Sequence, residues 1–453
     1  MKNFVNLSIK LLATLSIIIF FYSIYRAEIN FVGHDRSFVY AKYLKYIIFS
    51  FFLFLFYILS LKFKKEVKIN VALFSYSIIF AIYLIELILL FNFNYIPQIN
   101  PHITKDNDDR VNQKIHLSKI KNLIEKNIYP FSGREIFVEE NQKIYPLGYL
   151  SNTDILLCRK DGKDFYYKSD KHGFRNSNSV WEKKTYDYVL IGDSMVQGVC
   201  VKDKDTMSNL IAKKTKKDVL NLGIGGFGPL AEYATFLEFV EKKKPQTVYW
   251  FYYEGNDLTK NLRHEKKIPI LMEYFLKDKT QGLIYKQDLV DNYIKKRVLN
   301  EINLKENVIK TSEGENQKTV LLGINNFLHK TKFLRLWGTR TLIKYTFANE
   351  NVDPVFKQIL EKTNTKIKEW DGEMIFIYLP EEMRYKNKFN FYFAKDNFRN
   401  KKKIINFVKS LNIKLVDIDS TIFRKQDDPL ALFNNHYTEE GYNLIVNEIL
   451  KIN

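Results

Sequence analysis

The chain has 453 residues, and 70 Lys and Arg against 51 Asp and Glu give it a formal net charge of +19. The positive charge is dispersed along the sequence, and no helix-turn-helix, zinc-finger or aromatic RNA-binding signature accompanies it. We therefore expect no nucleic acid partner. The two cysteines, Cys158 and Cys200, can pair in an oxidising compartment or stay buried as small hydrophobic side chains. Without metal-ligand spacing or a phosphate-binding loop, we expect no metal and no cofactor.

Three apolar stretches, 11–25, 46–61 and 69–91, predict transmembrane helices within residues 1–95. They contain one charged residue between them, Glu86, and with flanking lysines able to snorkel each can span a hydrocarbon core of about 30 Å. The first stretch could be a cleaved signal peptide, but bulky residues follow it where a cleavage site needs small ones. A retained helix is therefore favoured.

The short loop between the second and third stretches predicts the membrane orientation, because it is rich in lysine and should lie in the cytoplasm. Its lysines are Lys62, Lys64, Lys65 and Lys68. This places everything after Phe91 outside, so we expect an integral protein of the inner (cytoplasmic) membrane with a periplasmic or extracytoplasmic catalytic domain. Glu86 falls about 24 Å along a helix that starts near Asn70, which favours an interfacial glutamate over a buried proton relay.

Residues 96–180 predict a linker and a small accessory segment. The Asn- and Pro-containing residues 92–106 lack periodicity, which is typical of a linker. A helix is predicted over 114–126, and short strand-like runs follow at 135–138, 155–157 and 165–167. We expect this segment to pack against the core.

The remainder, 181–453, alternates strands with helices. Such alternation predicts a parallel sheet covered on both faces. The predicted strands are 187–191, 218–222, 247–253, 374–379 and 413–417, and the predicted helices are 206–214, 230–242, 353–369, 398–410 and 438–451. A mostly helical insertion over 258–350, with helices at 291–303 and 327–344, leaves the core where it can wall or cover a site.

Polar turns follow the first three of these strands. The first strand ends in a Gly-Asp-Ser turn at Ser194, the second in the glycine-rich residues 221–226, and the third in a Gly-Asn-Asp turn at Asn256. His436 stands just before the final helix. Open α/β sheets bind and react with ligands at the carboxyl ends of their strands, so these turns predict a site.

In this order the serine, glycine, asparagine and histidine motifs resemble those of the SGNH (GDSL-like) hydrolases, in their membrane-anchored bacterial form. The resemblance implies a three-layer, flavodoxin-like α/β fold for residues 181–453 and a serine nucleophile. The family usually carries an aspartate three positions before the histidine. This chain has Phe433 there.

Acyl transfer requires a nucleophile, a base and donors for the developing oxyanion. We expect Ser194 to be the nucleophile and His436 the base that removes its proton. The predicted oxyanion donors are the backbone N–H groups of Ser194 and Gly226 and the side-chain amide of Asn256.

The residue that orients His436 is left open by the sequence. A carboxylate usually occupies this position, and Asp428 could fill it through an unusual loop path. Asp427, Asp417, Asp419, Asn434 or a backbone carbonyl are alternatives. We favour a Ser–His dyad or a backbone carbonyl, because Asp428 lies in a turn outside the usual spacing.

These observations predict a membrane-anchored serine esterase or O-acyltransferase. Its expected substrate is an ester, most plausibly an O-acetyl or other O-acyl group on a cell-envelope or extracellular polysaccharide. Water as acceptor gives an esterase and a sugar hydroxyl gives a transferase, and both share one acyl-enzyme half-reaction. The alternative is a catalytically degenerate binding or assembly module in polysaccharide biosynthesis. The lack of Asp at position 433 favours this alternative.

Overall fold

A computed structural model describes most of the chain, and its residues fall into two compact units. One contains Met1–Pro97 with Phe327–Arg340, and the other contains Gln98–Asn326 with Thr341–Asn453. The described residues are 2–29, 36–93, 118–131, 137–139, 142–160, 163–311, 333–346, 352–386, 400–434 and 436–452.

Three long helices form most of the first unit: α1 (Lys2–Ile29), α2 (Arg36–Ser60) and α3 (Lys65–Phe93). Each contains a segment long and apolar enough to cross a membrane, namely Asn3–Glu28, Tyr43–Ser60 and Lys65–Phe91. Large apolar side chains point outward from them; Phe74 and Phe80 are each 70% exposed. Such a surface suits a lipid environment, because hydrocarbon solvates it better than water does. The helices therefore fit the predicted membrane anchor.

Glu86 on α3 is completely buried and binds the start of another helix, at residues that belong to the same unit. Its carboxylate accepts hydrogen bonds from the backbone N–H of Gly338 at 2.8 Å, and from the backbone N–H and hydroxyl of Thr339 at 2.7 Å each. These residues open the helix Trp337–Thr346. Glu86 thus satisfies N–H groups that a helix leaves free at its first turn. The sequence predicts only an interfacial position for Glu86, and this capping contact is not foreseen.

The accessory segment of the second unit contains a small three-stranded sheet. The strand Asp154–Lys160 pairs in parallel with Ile128–Pro130 and antiparallel with Lys163–Lys168. Residues 118–125 are helical, within the predicted 114–126, while the predicted linker 92–106 lies outside the described residues beyond position 93. A short hairpin, Phe137–Glu139 with Gln142–Ile144, completes the segment.

The second unit is built on a five-stranded, fully parallel sheet. Its strands are β1 (Tyr188–Ile191), β2 (Val219–Asn221), β3 (Thr247–Tyr253), β4 (Glu373–Leu379) and β5 (Lys414–Asp417). They lie in the order β5-β4-β3-β1-β2. This is the flavodoxin-like order. The strands after β2 are added on the other side of β1, so the order of addition reverses between β1 and β3. The predicted α/β fold is therefore confirmed.

Helices cover both faces of this sheet, and the strands alternate between the two cores. On β3, Val248, Trp250 and Tyr252 face one core and Tyr249 and Phe251 face the other, as the period of two along a strand requires. The helices Pro229–Phe239, Pro354–Lys368 and Lys401–Ser410 pack on the first face, and Met207–Thr215 and Glu439–Ile449 pack on the second.

The insertion after β3 is mostly helical in the residues that the structure describes. A π-helical turn, Asp257–Leu262, leads into Arg263–Glu265 and then Pro269–Lys277. The predicted helix 291–303 lies inside a longer one, Gln287–Thr311. The predicted helix 327–344 is shorter in its described part, because residues 333–336 form a turn and the helix begins only at Trp337.

Candidate active site

Ser194 stands at the carboxyl end of β1, where a fully buried strand meets a sharp turn. The turn begins the short helix Ser194–Gln197, whose N-cap Asp193 accepts a hydrogen bond from the backbone N–H of Met195 at 2.9 Å. A Cβ atom on Gly192 would lie 2.6 Å from the Val196 side chain. A glycine is therefore needed for the helix to turn back so closely against the strand.

The glycine-rich loop after β2 lies beside this turn. A Cβ atom on Gly225 would lie 3.6 Å from the Cβ atom of Ser194, which fixes the proximity of the two segments. The backbone N–H of Gly225 donates to the Gln197 side chain at 2.8 Å. Gly226 follows with a φ of +82° and is exposed, with open space on its Cβ side. Its left-handed conformation suits glycine and leaves room for a ligand.

Asn256 follows β3 and points toward the serine turn. Its side-chain Nδ2 donates to Asp193 Oδ2 at 3.4 Å, a long hydrogen bond. The turn at Ser194 thus follows β1, and the turns at Gly226 and Asn256 follow the two strands that flank it, β2 and β3.

His436 reaches the serine from a two-stranded hairpin formed by Phe433–Asn434 and His436–Tyr437. Its Nε2 atom lies 3.0 Å from Ser194 Oγ, within hydrogen-bond distance. Burial lowers the pKa of the half-buried His436 below its usual value of 6.5. The imidazole is therefore neutral at pH 7, as a group that accepts a proton from a hydroxyl must be.

The other ring nitrogen of His436 has no carboxylate partner among the described residues. Its Nδ1 atom is buried and makes no hydrogen bond there. Asp428, the carboxylate named from the sequence, is exposed and accepts the backbone N–H of Leu430 at 3.0 Å as a helix cap. Asp417 caps the helix Ile418–Thr421, and Asp419 accepts the Tyr385 hydroxyl at 2.6 Å. Neither of these two carboxylates reaches the histidine.

Aromatic packing holds the histidine hairpin instead. The Phe433 ring lies 4.9 Å from Phe423, 5.1 Å from Tyr437 and 5.8 Å from Tyr385, measured between centroids. The Tyr437 hydroxyl donates to the backbone carbonyl of Pro380 at 2.6 Å. Phe433 is therefore a core residue that positions the hairpin, where the SGNH resemblance leads us to expect a carboxylate.

Two residues that were not predicted from the sequence form hydrogen bonds to the glycine-rich loop. Both lie in the helical turns that follow Asn256. Glu265 accepts the backbone N–H groups of Gly228 at 2.7 Å and Leu230 at 3.0 Å, and Asn261 donates to the Phe227 carbonyl at 2.7 Å. The only sequence signal for them is their position directly after the Asn256 turn. They link the second and third motifs to each other.

Four buried carboxyl groups surround the turns, and their environment reduces the negative charge there. Burial raises the pKa of Asp193 to about 6 and that of Glu265 to about 7. Burial, and then repulsion from neighbouring carboxylates, raises the pKa of both Glu232 and Asp257 well above the usual range. A raised pKa favours the protonated, neutral form of Glu232 and Asp257, which lessens the negative charge beside Ser194.

Comparison with known proteins gives structural likeness at low identity. No family model matches the chain, and no curated protein matches it either. The chain is similar to a lipolytic protein of the G-D-S-L family from Desulfitobacterium hafniense DCB-2, at 14% identity and a TM-score of 0.33, over 59% of this chain and 98% of that one. It is also similar to TesA, at 9% identity and a TM-score of 0.29, over 58% and 96% of the two chains. An acetyl xylan esterase, AlAXEase, shows 12% identity and a TM-score of 0.28 over 58% and 98%.

Proposed function

We propose that this protein is a membrane-anchored serine enzyme that transfers acyl groups from esters, with Ser194 as nucleophile and His436 as base. The observation that carries the proposal is the 3.0 Å separation of His436 Nε2 and Ser194 Oγ. A serine hydroxyl is a weak nucleophile until an adjacent base accepts its proton. This contact provides such a base.

The proposed reaction has two halves. In the first, Ser194 Oγ attacks the ester carbonyl carbon while His436 Nε2 takes the hydroxyl proton. Backbone N–H groups of Ser194 and Gly226 and the Asn256 amide then donate to the oxyanion. The tetrahedral intermediate collapses, and the leaving alcohol takes the proton from His436, which leaves an acyl group on Ser194.

In the second half, an acceptor hydroxyl attacks the acyl-serine and His436 takes its proton. Water as acceptor releases a carboxylic acid, and a sugar hydroxyl receives the acyl group as a new ester. Ser194 Oγ recovers its proton from His436 in both cases. Esterase and O-acyltransferase thus differ only in the acceptor.

The proposed substrate class is an O-acetyl or other O-acyl group on a polysaccharide outside the cytoplasm. The disulfide between Cys158 and Cys200 supports that location, because disulfides persist in oxidising compartments. The lysine-rich loop between α2 and α3 supports it independently. A periplasmic reporter fused after residue 105 should be active, and a reporter active only in the cytoplasm would contradict the location.

A catalytically degenerate binding module is the second candidate. Two features favour it: Phe433 stands at the family's aspartate position, and Nδ1 of His436 has no hydrogen-bond partner among the described residues. Against it stands the Ser194–His436 hydrogen bond, which a module without activity has no need to keep. The two candidates make opposite predictions for turnover.

Hydrolysis of a small aryl acetate by the full-length protein in detergent distinguishes them. We expect turnover that falls at least about 100-fold in Ser194→Ala and in His436→Ala. His264→Ala is the matched control, because His264 is exposed, lies after the Asn256 turn and should be dispensable. A wild-type rate equal to that of Ser194→Ala would favour the binding module. Acyl transfer to an added oligosaccharide, compared with hydrolysis, then identifies the acceptor.

A further inference from the structure

Beside the Ser194 site, the carboxyl ends of β3, β4 and β5 carry a buried network of charged residues. Glu254 follows β3, Arg384 lies in the short turn Glu382–Arg384 after β4, and Asp419 follows β5. Glu254 is 1% exposed, the Arg384 side chain 6% and Asp419 0%. Charged side chains this deeply buried are costly to desolvate, so their partners determine what they do.

Glu254 is saturated with donors. Arg384 Nε donates to its Oε1 atom at 2.7 Å, and Arg384 Nη2 donates to Oε2, which makes a two-point fork. The backbone N–H of Glu381 donates to Oε1 at 2.8 Å, and the Tyr378 hydroxyl donates to Oε2. Because Glu254 stands two residues before Asn256, this fork fixes the start of the proposed oxyanion turn.

The same turn after β4 also holds the histidine hairpin. Arg384 Nη1 lies 3.8 Å from Asp419, and the neighbouring Tyr385 hydroxyl donates to Asp419 at 2.6 Å. The Tyr385 ring lies 5.8 Å from Phe433, in the hairpin that carries His436. A continuous set of contacts therefore joins the Asn256 turn to the His436 hairpin through Arg384 and Tyr385.

We propose that Arg384 is a positioning residue, which holds the oxyanion donor Asn256 and the base His436 at a fixed distance and orientation relative to each other. The inference rests on the proposed function. It answers a need that the site itself creates, because His436 has no carboxylate on Nδ1 in the described structure to set its orientation. In the proposed reaction the Asn256 amide donates to the carbonyl oxygen while His436 takes the proton of the Ser194 hydroxyl that attacks the same carbonyl. A misplacement of about 1 Å can cost about 100-fold in rate.

Full-length variants in detergent test this role, with kcat and KM for an aryl acetate and the melting temperature as readouts. Arg384→Met should lower kcat about 100-fold and change KM less than about threefold, since positioning acts in the transition state. Arg384→Lys keeps the charge but loses the planar fork, so it should recover about tenfold of that loss. Arg297→Met is the matched control, because Arg297 is also a largely buried arginine paired with a carboxylate, Glu301, on the helix Gln287–Thr311. Its kcat should stay within about twofold of wild type.

The outcomes separate the inference from the proposed function. Wild-type protein without Ser194-dependent turnover would contradict the function before any Arg384 variant is measured. Active wild type with a folded Arg384→Met variant of unchanged kcat overturns the positioning role alone. If Arg384→Met does not fold, Arg384→Lys decides, and a wild-type kcat in that variant overturns the inference. A fall in melting temperature equal to that of Arg297→Met, without a fall in kcat, also overturns it.

Discussion

Cys158 and Cys200 form a disulfide, with their Cα atoms 5.4 Å apart and a separation of 42 positions in the sequence. The bond joins the accessory strand Asp154–Lys160 to the loop that follows the short helix Ser194–Gln197. Arg175 donates to the Gly198 carbonyl at 2.5 Å and to the Val201 carbonyl at 2.9 Å in that loop. The accessory segment therefore secures the loop behind Ser194 covalently and by hydrogen bonds.

Replacing both cysteines by serine should lower the free energy of unfolding by about 2–4 kcal/mol. The disulfide closes a loop in the unfolded chain, and without it the unfolded chain gains conformational entropy. The urea midpoint, followed by tryptophan fluorescence, measures the change. A reductant should shift the wild type toward the midpoint of the double variant and leave the variant unmoved. Equal midpoints for oxidised wild type and double variant would contradict the role of the bond.

The pH dependence of turnover should reflect a buried, neutral His436. Burial lowers its pKa below the usual value of 6.5. The imidazole therefore becomes protonated, and turnover falls, only at pH values below 6.5. We expect the acid limb of kcat/KM to have its midpoint below pH 6.5. Asp193, with a pKa raised to about 6, titrates in the same range, and Asp193→Asn should leave the limb in place. A midpoint above pH 6.5 in both proteins would contradict this account.

Asp428 should be nearly dispensable for turnover. It is exposed and caps the turn at Leu430, without contact to His436. Asp428→Asn keeps an acceptor for the cap and should cost less than about tenfold in kcat, whereas loss of a triad carboxylate costs about 10⁴-fold in the serine-protease template. A loss of that larger size would restore Asp428 as the orienting residue. Exposed Asp427 offers the matched control, Asp427→Asn.

Removal of the Glu86 carboxylate should loosen the start of the helix Trp337–Thr346. Glu86→Leu leaves the backbone N–H groups of Gly338 and Thr339 without their acceptor, a loss of about 1–3 kcal/mol for each buried donor. Hydrogen exchange of peptides covering 333–346 should accelerate at least about tenfold. As a control, Glu66→Leu replaces an exposed glutamate of α3, the helix that carries Glu86, and should leave the exchange rate of these peptides unchanged. Unchanged exchange in Glu86→Leu would show that the contact does not hold the helix.

Regular elements were predictable where the residue pattern is strong, and long-range polar contacts were not. The strand 247–253 matches β3 because seven consecutive aromatic and β-branched residues leave no other assignment. The ends of the final helix shifted by one or two residues, since caps compete with propensity at termini. The motif at Ser194 was visible because a buried strand ends there.

Contacts between distant segments carry no periodic signal. Glu254 and Arg384 are separated by 130 positions, and Glu86 and Gly338 by 252. Glu254 and Arg384 are each indistinguishable in sequence from a solvated charge, and the sequence around Glu86 does not indicate which segment it contacts. The role of Phe433 was not predictable from the sequence either. Its position indicated a missing carboxylate, whereas its packing against Phe423 and Tyr437 gives it a structural role.

Covalent labelling tests the central claim, that Ser194 is a nucleophile activated by His436. Full-length protein in detergent is treated with a fluorophosphonate probe, and the modified residue is located by mass spectrometry. We predict labelling of the wild type at Ser194, none in Ser194→Ala, and a rate reduced at least about 100-fold in His436→Ala. Equal labelling of wild type and Ser194→Ala, or labelling of wild type at another residue, would contradict the account.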